Sequence, residues 1–132
     1  MLRTMATTPD PAPPGPEKLY RDKLAGGRFE IQRCAACAKH VFYPRVLCPH
    51  CGAERLEWIA PSGRGTVYST TVVRRKEADG GDYNVALVDL EEGVRMMSRV
   101  AGIAPQAVAI GMRVQARIAG EGEAALVEFV PA

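Results

Sequence analysis

Residues 34–37 read CAAC, and residues 48–52 read CPHCG after an interval of ten residues. These two pairs contain all four cysteines of the 132-residue chain. Each Cys-x-x-Cys pair forms a tight turn that directs two sulfurs to one point, and Pro49 and Gly52 favour the second turn. Two facing turns make a tetrahedral cage, which suits Zn2+ because zinc accepts four thiolates without redox chemistry. The spacing therefore predicts a structural zinc site with these ligands: Cys34, Cys37, Cys48 and Cys51.

Other states of the same cysteines compete with zinc. Two disulfides, four free thiols or an iron centre of rubredoxin type would use the same residues. The N-terminus, residues 1–5, lacks the apolar core of a signal peptide, which predicts a cytoplasmic protein with reduced cysteines and favours a metal over disulfides. Rubredoxin-like chains are little more than their metal site, so the further residues here argue against a simple iron protein. A cage filled by four thiolates has no open position for catalysis.

The charge and hydropathy of the chain exclude some classes of partner. The formal net charge is +2, and four thiolates with one divalent cation bring it to about zero. A nearly neutral chain has no global attraction to nucleic acid or to an anionic membrane. No apolar run approaches the ~20 residues that span a bilayer. The length fits one domain, or one domain with a small appendage.

The N-terminal part divides into a tail and a helix. Residues 6–16 contain five prolines in eleven positions, which excludes a helix or a central strand. Residues 17–25 fit a short helix, because a proline precedes them and two glycines follow. Leu19, Tyr20 and Leu24 lie on roughly one face of this helix. We expect that face to pack either on the chain's own core or on another subunit.

The cysteine pairs lie between three predicted strands. Residues 28–33 alternate in polarity and lead into the first pair, residues 40–47 form a return strand, and residues 54–59 follow the second pair. Trp58, the only tryptophan, lies at the end of this unit. We expect it to pack the ribbon on the rest of the chain.

The remainder of the chain predicts five short strands with a break after the third. They cover residues 65–74, 83–90, 94–100, 112–118 and 124–130, and a short helix or turn at 104–110 forms the break. This count and interruption fit a small Greek-key barrel of OB type. The predicted fold is mainly β, with a rubredoxin-like zinc ribbon and a five-stranded OB-fold barrel. Its parts are a proline-rich tail (1–16), a short helix (17–27), the ribbon (28–59) and the barrel (60–132).

The ordered set of segments resembles a known family of small zinc-ribbon plus OB-fold proteins that associate with thiolases and are thought to bind acyl-CoA. The resemblance covers about residues 17–130 and depends on these segments: the helix ending in Gly26-Gly27, FEIQRC (29–34), FYPR (42–45), CPHCG (48–52), Trp58, SGRGTVYS (62–69), YNVALV (83–88) and IGMRV (110–114). One departure is Ala38-Lys39, where the family usually has a glycine after the second cysteine. It affects the geometry of the turn and not the ligands.

The resemblance implies a non-catalytic accessory subunit that pairs with a thiolase-fold protein and helps to hold or channel a CoA thioester. The Claisen, thiolysis or retro-aldol chemistry is implied to occur on the partner, and a two-plus-two heterotetramer is the natural stoichiometry. The residues agree with this division. A filled metal site leaves no free cysteine, both histidines (His40 and His50) lie in the ribbon, and the serines have no evident partners for activation.

Several residues are candidates for contact with CoA or with the partner. Arg45, beside two aromatic residues, could clamp a phosphate, although a solvated strand residue is the plainer interpretation. Gly63 and Arg64 could let the backbone approach a ligand or could simply begin a strand. Arg74 and Arg75 could meet phosphates, but acidic residues follow at once and favour a solvated loop. The candidates for a partner interface are Leu19, Tyr20 and Trp58. For Trp58 the plainer interpretation is packing of the ribbon on the barrel, and contact with an acyl or pantetheine group is the alternative.

A single-stranded nucleic-acid-binding module is the alternative function. OB barrels and zinc ribbons both serve in such modules, which combine a basic groove with aromatic platforms for the bases. Only Tyr68, Tyr83 and Phe129 offer platforms in the predicted barrel, and the net charge is near zero. These observations make nucleic acid the weaker prediction.

Overall fold

A helix, a three-stranded sheet and a five-stranded sheet follow one another along the chain in a computed structural model, which describes residues 13–132. Most of the predicted tail, residues 1–16, lies outside the described residues. No helix within residues 13–132 is long and apolar enough to cross a membrane. The bounds are α1 Pro16–Ala25, β1 Ile31–Cys34, β2 His40–Val41, β3 Leu56–Ile59, β4 Arg64–Val73, β5 Tyr83–Leu90, β6 Arg95–Ser98, β7 Arg113–Ala119 and β8 Leu126–Pro131, with 3-10 turns at Glu77–Asp79, Pro105–Ala107 and Gly122–Ala124.

The predicted helix is confirmed and begins one residue earlier, at Pro16. A proline suits the first helical position because its missing N–H has no partner there in any case. At the other end, the Gly26 N–H bonds the carbonyls of Asp22 and Lys23 at 3.1 Å. Tyr20 and Leu24 are buried in a core that also contains barrel residues. The helix therefore packs on the chain's own core, which was the first of the two expectations.

The ribbon is an antiparallel sheet in the order β2-β1-β3, and its predicted return strand at 40–47 is wrong in extent. Only His40 and Val41 pair with β1. The chain then leaves the sheet, and Pro44, which lacks an N–H, could not rejoin the ladder as a donor. Beyond Val41 the buried side chain of Gln32, in β1, bonds the chain that follows β2. Its Oε1 accepts from the Arg45 N–H at 2.7 Å, and its Nε2 donates to the Arg45 carbonyl at 2.8 Å. The first ribbon strand also starts later than predicted, at Ile31.

The five barrel strands are confirmed and form an antiparallel sheet in the order β6-β5-β4-β7-β8. The two edges of this sheet meet, because a parallel bridge joins Val100, just after β6, to Phe129 in β8. The Phe129 N–H donates to the Arg99 carbonyl at 3.0 Å, and the Ala101 N–H donates to the Phe129 carbonyl at 2.7 Å. A bulge in β4 after Val67 adds the curvature that closure requires. The result is the closed barrel that the five-strand pattern predicted.

One core serves the helix, the ribbon and the barrel. Phe129, Val88 and Ile31 have no measurable exposure, and Ile31 belongs to the ribbon rather than to the barrel. Trp58 is half-buried and packs against this shared core, with Lys23 Nζ 5.3 Å from the centre of its ring. The tryptophan thus lies at the junction of ribbon and barrel. Burial of these large side chains stabilises the relative placement of the three parts, at about 1.5–3 kcal/mol for each fully buried residue.

A buried carboxylate lies at the closing seam of the barrel. The Glu128 side chain is only 4% exposed and accepts from Arg99 Nη2 at 2.8 Å and from Arg117 Nη2 at 2.6 Å. Arg117 is its direct cross-strand neighbour on β7, and Arg99 follows β6. Burial alone would raise the pKa of Glu128, but the hydrogen bonds from the two arginines outweigh burial and hold the pKa below its ordinary value. The ionised carboxylate therefore links three neighbouring chain segments.

We expect Glu128→Gln to lower the free energy of unfolding at pH 7 by about 1–3 kcal/mol, because it leaves two arginines facing each other without an anion. A carboxyl pKa that is lowered on folding stabilises the protein above its unfolded value, near 4.5, and this contribution is lost as the pH falls through the folded value. The difference from the native chain should therefore shrink at pH 3.5. Urea unfolding at both pH values measures it.

Glu77→Gln is the matched control for this experiment, because Glu77 is exposed and the change removes the same charge. Any loss of a bound metal at acid pH is common to all three proteins. A Glu128→Gln chain as stable as the control at pH 7 would contradict a stabilising role of the carboxylate at the seam.

Candidate functional site

The four cysteines converge although two separate turns carry them. Their sulfurs all lie within 4.8 Å of one another. Across the two turns, the Cys34 and Cys51 sulfurs are 3.6 Å apart, and the Cys37 and Cys48 sulfurs are 3.7 Å apart. These distances are much longer than a disulfide bond. They are close to the ~3.8 Å edge of a tetrahedron whose corners lie 2.3 Å from a central ion.

Backbone amides direct the turns and favour the thiolate of Cys34. The Ala38 N–H bonds the Cys34 carbonyl, and the Gly52 N–H bonds the Cys48 carbonyl, both at 2.8 Å. Ala38 has a φ of 66°, the left-handed value that Gly52 takes as 81° at the equivalent place. The first turn thus keeps its shape without glycine, at a cost of about 1–2 kcal/mol. The Cys37 N–H contributes most to lowering the pKa of the Cys34 thiol to about 7.

The cysteines also form the interior of the ribbon. Cys34, Cys48 and Val41 make a small buried cluster that is separate from the main core. A three-stranded sheet with so few apolar residues has little hydrophobic stabilisation of its own. Four soft donors at tetrahedral spacing fit a metal ion, whose bonds would supply the missing stability.

We expect one metal ion per chain, and its removal should unfold the ribbon while the barrel persists. The reason is that the ribbon cluster consists largely of the ligands themselves, whereas the barrel has its own buried residues. Elemental analysis counts the ion, and visible absorbance distinguishes iron from zinc. Amide hydrogen exchange after chelation should lose protection in residues 31–59 and keep it in β4 to β8. A chelated, metal-free chain whose ribbon amides stay protected would contradict this, and chelator with excess metal is the control.

An apolar groove of about 650 Å³ lies between α1, the loop after β2 and the barrel. Tyr20 and Phe42 line its inner side, and Tyr43, Leu126 and Met97 are exposed at its rim by 42%, 41% and 73%. Met96, one residue earlier, is buried, because successive side chains of a strand point to opposite faces of the sheet. Leu87 pairs directly with Met97 across β5 and β6 and extends the apolar surface.

A smaller cleft of about 210 Å³ separates the ribbon from the start of β6. No carboxylate lines this cleft. Four basic side chains do: His40, Arg45, His50 and Arg95. Phe42 and Arg95 line both the cleft and the apolar groove, so the two spaces adjoin. Sequence reasoning selected Arg45 but missed Arg95, because only the packing of the barrel on the ribbon brings these distant residues together.

The other predicted CoA-binding arginines lie elsewhere and have local partners. Arg64 Nε lies 3.0 Å from Glu91 Oε1, and Arg74 Nε lies 3.6 Å from Asp82 Oδ2. The Arg75 guanidinium stacks 4.5 Å from the centre of the Tyr83 ring. For Arg74 and Arg75, these contacts agree with the solvated loop predicted from the acidic residues that follow Lys76.

Gly63, also a predicted contact with CoA, is a packed backbone position. A Cβ built on Gly63 would lie 2.6 Å from Gln115 Nε2 and 3.3 Å from the Ala116 Cβ, and φ is 78°. Both the space and the backbone angle therefore require glycine where β4 begins beside β7. Residues of β7 occupy the space beside Gly63, so no room is left there for a ligand.

Of the three aromatic platforms considered for nucleic acid, one is buried and each of the other two carries an arginine over its ring. Phe129 is fully buried in the barrel. The Arg95 guanidinium lies 3.5 Å from the centre of the Tyr68 ring, and Arg75 covers Tyr83. Base stacking needs open aromatic faces, so these residues do not form the array typical of single-strand binding.

Comparison with known proteins agrees with this architecture. Residues 21–57 match the description "ChsH2, rubredoxin-like zinc ribbon domain", and residues 58–119 match "ChsH2, C-terminal OB-fold domain". A "DUF35 domain-containing scaffold protein" of Methanothermobacter thermautotrophicus is 31% identical over 104 residues, which are 74% of this chain and 78% of that protein. The chain belongs to the DUF35 family. This confirms the zinc-ribbon plus OB-fold family predicted from the ordered segments.

Two further relatives bear the names of subunits or components of larger assemblies. A chain of the solved structure named "Ltp2-ChsH2(DUF35) aldolase" superposes with a TM-score of 0.79 at 35% identity, covering 92% of this chain and 98% of that one. A "Probable enoyl-CoA hydratase alpha subunit" of Thermomonospora curvata is 42% identical over 89 residues, or 66% of this chain. The present chain spans only 28% of that relative's length.

Proposed function

We propose that this chain is a non-catalytic scaffold subunit of a two-component enzyme that acts on CoA thioesters, and that a thiolase-fold partner carries out the chemistry. The observation that carries the proposal is the match over 98% of a chain whose structure is named for a second component, Ltp2, and for an aldolase. The thiolase fold of the partner comes from the resemblance seen in the sequence. The names of the relatives, a scaffold protein and an enoyl-CoA hydratase subunit, support the CoA thioester as substrate.

The side chains of the described residues agree with a role outside catalysis. Ser98 Oγ donates to the Val127 carbonyl at 2.8 Å, and Ser62 Oγ lies near Glu91, so neither faces a histidine. Within residues 13–132 the four cysteines gather in one cage. A nucleophile activated by a neighbouring base is therefore not assembled in the described part of the chain. We assign zinc to the cage and a two-plus-two stoichiometry to the complex.

The apolar groove supports an interface with the thiolase-fold subunit. Met97, Leu126 and Tyr43 form an exposed apolar rim that extends from the barrel to the ribbon. Methionine and tyrosine are favoured at interfaces, since one adapts its shape and the other combines a large apolar face with a polar tip. Tyr20 lines the groove from the helix side, and Leu19 and Trp58 remain predicted interface residues.

Co-expression tests the proposed function. The chain would be produced with a tagged thiolase-fold protein encoded beside it, and the purified material assayed for thiolysis, condensation and retro-aldol cleavage of CoA thioesters. We expect a stable complex that is active, a scaffold chain that is inactive alone, and a partner that is inactive or unstable alone. A chain that stays monomeric with each such partner would overturn the proposal.

We expect Met97→Asp to weaken the association with the partner by about 2 kcal/mol or more, because it buries an unpaired charge in an apolar contact. The free energy of unfolding of the isolated chain should be little changed, since Met97 is 73% exposed. Affinity measured by surface plasmon resonance with the thiolase-fold subunit checks this.

Ile110→Asp is the control variant for this measurement. Ile110 is 72% exposed, and it is not among the residues that line the groove. Equal weakening by both variants would mean that added charge, rather than the groove, decides the association.

A further inference from the structure

We propose that residues 1–12 dock on the apolar groove of their own chain and compete there with the partner subunit. The docking itself depends only on this chain, whereas the competition rests on the proposed function. The segment and the surface match in position, in length and in apolar character.

The apolar surface is larger than the groove alone. A second hollow of about 240 Å³ lies over β4, β5 and β6, and no charged side chain lines it. Leu87 and Met97 line both the hollow and the groove. One apolar surface therefore runs from the helix across the barrel, and a continuous exposed surface of this kind marks a site of interaction.

The segment joins the helix beside this surface. Tyr43, at the rim of the groove, has its ring centre 6.0 Å from that of Tyr20 in the second turn of α1. A hydrogen bond with the Tyr43 hydroxyl is the largest of the causes that lower the pKa of Glu17, in the first turn. Residues 13–15, which are exposed, connect the helix to residues 1–12. The segment therefore starts within a few residues of the rim.

The segment is long enough to cross the whole surface. Proline-rich chains extend by about 3.1 Å per residue as polyproline II, so residues 5–12 span about 25 Å. Neighbouring strands lie ~4.8 Å apart, which puts β4 about 15 Å from β8 by way of β6 and β5. The packed helix adds about 10 Å. Met5 can therefore reach the hollow while the prolines lie over the groove.

The sequence of the segment has an apolar edge. Polyproline II has three residues per turn, so residues three apart share one edge. One such edge consists of Leu2, Met5, Thr8 and Pro11. Three of these four residues are apolar, and both charged residues of the segment, Arg3 and Asp10, fall on the other edges. A single face of the segment can thus cover an apolar surface.

The aromatic rings of the groove suit the prolines. Tyr20, Phe42 and Tyr43 pack edge to face, with ring centres 5.3 to 6.0 Å apart, and Tyr43 is 42% exposed. Polyproline II segments dock in grooves lined by aromatic rings, because their preformed backbone loses little entropy on binding. The prolines at positions 9 and 11 therefore lie over the groove, and residues 2–5 lie over the hollow.

Docking of this kind obliges the partner to displace the segment. Met97 and Leu126, which belong to the surface assigned above to the thiolase-fold subunit, are then covered in the free chain. If the segment covers them about nine-tenths of the time, the affinity for the partner falls about tenfold, because only the open fraction binds.

Nuclear magnetic resonance tests the docking on the full chain with its metal in place and on a chain that begins at Pro13. The shorter chain retains the whole core described above. We expect the amide shifts of the two chains to differ at residues 42–43, 85–87, 95–97 and 126 and to agree in the cysteine turns. A peptide of residues 1–16, added to the shorter chain, should shift the same amides.

Two double variants of the full chain provide the control. Leu2→Asp with Met5→Asp should give the shifts of the shorter chain, because it places charges on the apolar edge. Thr4→Asp with Thr7→Asp adds the same charges at the same spacing on another edge and should change little. Equal effects of the two variants, or identical shifts in the full and shorter chains, would overturn the docking. Shifts that disappear on dilution would also overturn it, because the segment would then bind a second copy of the chain.

Surface plasmon resonance with the thiolase-fold subunit tests the competition. We expect the shorter chain to bind about tenfold more tightly than the full chain. Equal affinities would overturn the competition, and so would weaker binding of the shorter chain, because residues 1–12 would then contribute to the interface. If neither chain forms a complex, the proposed function is contradicted, while the shifts of the free chains still decide the docking.

Discussion

The seam between the end of β6 and β8 is the constraint on which the barrel depends. Two backbone hydrogen bonds there turn an open five-stranded sheet into a closed one. Asn84 reinforces the seam from inside, since its Oδ1 accepts from the Val100 N–H at 3.0 Å while its Nδ2 donates to the Thr71 carbonyl at 3.2 Å. Glu128 reinforces it from the outside through its two arginines. Without closure both edge strands would be open to pairing with other chains.

Closure also creates the surface to which we assign function. It brings β6 beside β8, and so places Met97 and Leu126 in the lining of one groove. The helix forms another wall of that groove, because burial of Tyr20 and Leu24 in the shared core fixes the helix against the barrel. The ribbon contributes through Gln32, whose side chain ties the loop after β2 to β1 and so places Arg45 beside the start of β6. A metal ion held by the four cysteines would stabilise this small sheet.

Much of the fold could be predicted because its signals are local. Alternation of apolar residues identified all five barrel strands, and flanking proline and glycine identified the helix within one residue. The return strand at 40–47 was wrong beyond Val41 because its apolar character reflects packing of Phe42 and Tyr43 against Tyr20, with ring centres 5.6 and 6.0 Å apart, and not strand pairing. Periodicity records that a residue is buried but not which element buries it.

By itself, the sequence determined the metal ligands and the order of elements, because Cys-x-x-Cys spacing and strand alternation act over a few residues. The tertiary structure alone decided how the candidate arginines are partnered. Arg64 and Arg74 pair with carboxylates and Arg75 stacks on Tyr83, whereas Arg45 lies with Arg95 in a cleft that neither segment encodes separately. Electrostatic pairing depends on distances of a few ångströms between residues far apart in the chain. Such distances exist only after the barrel has closed and the ribbon has packed upon it.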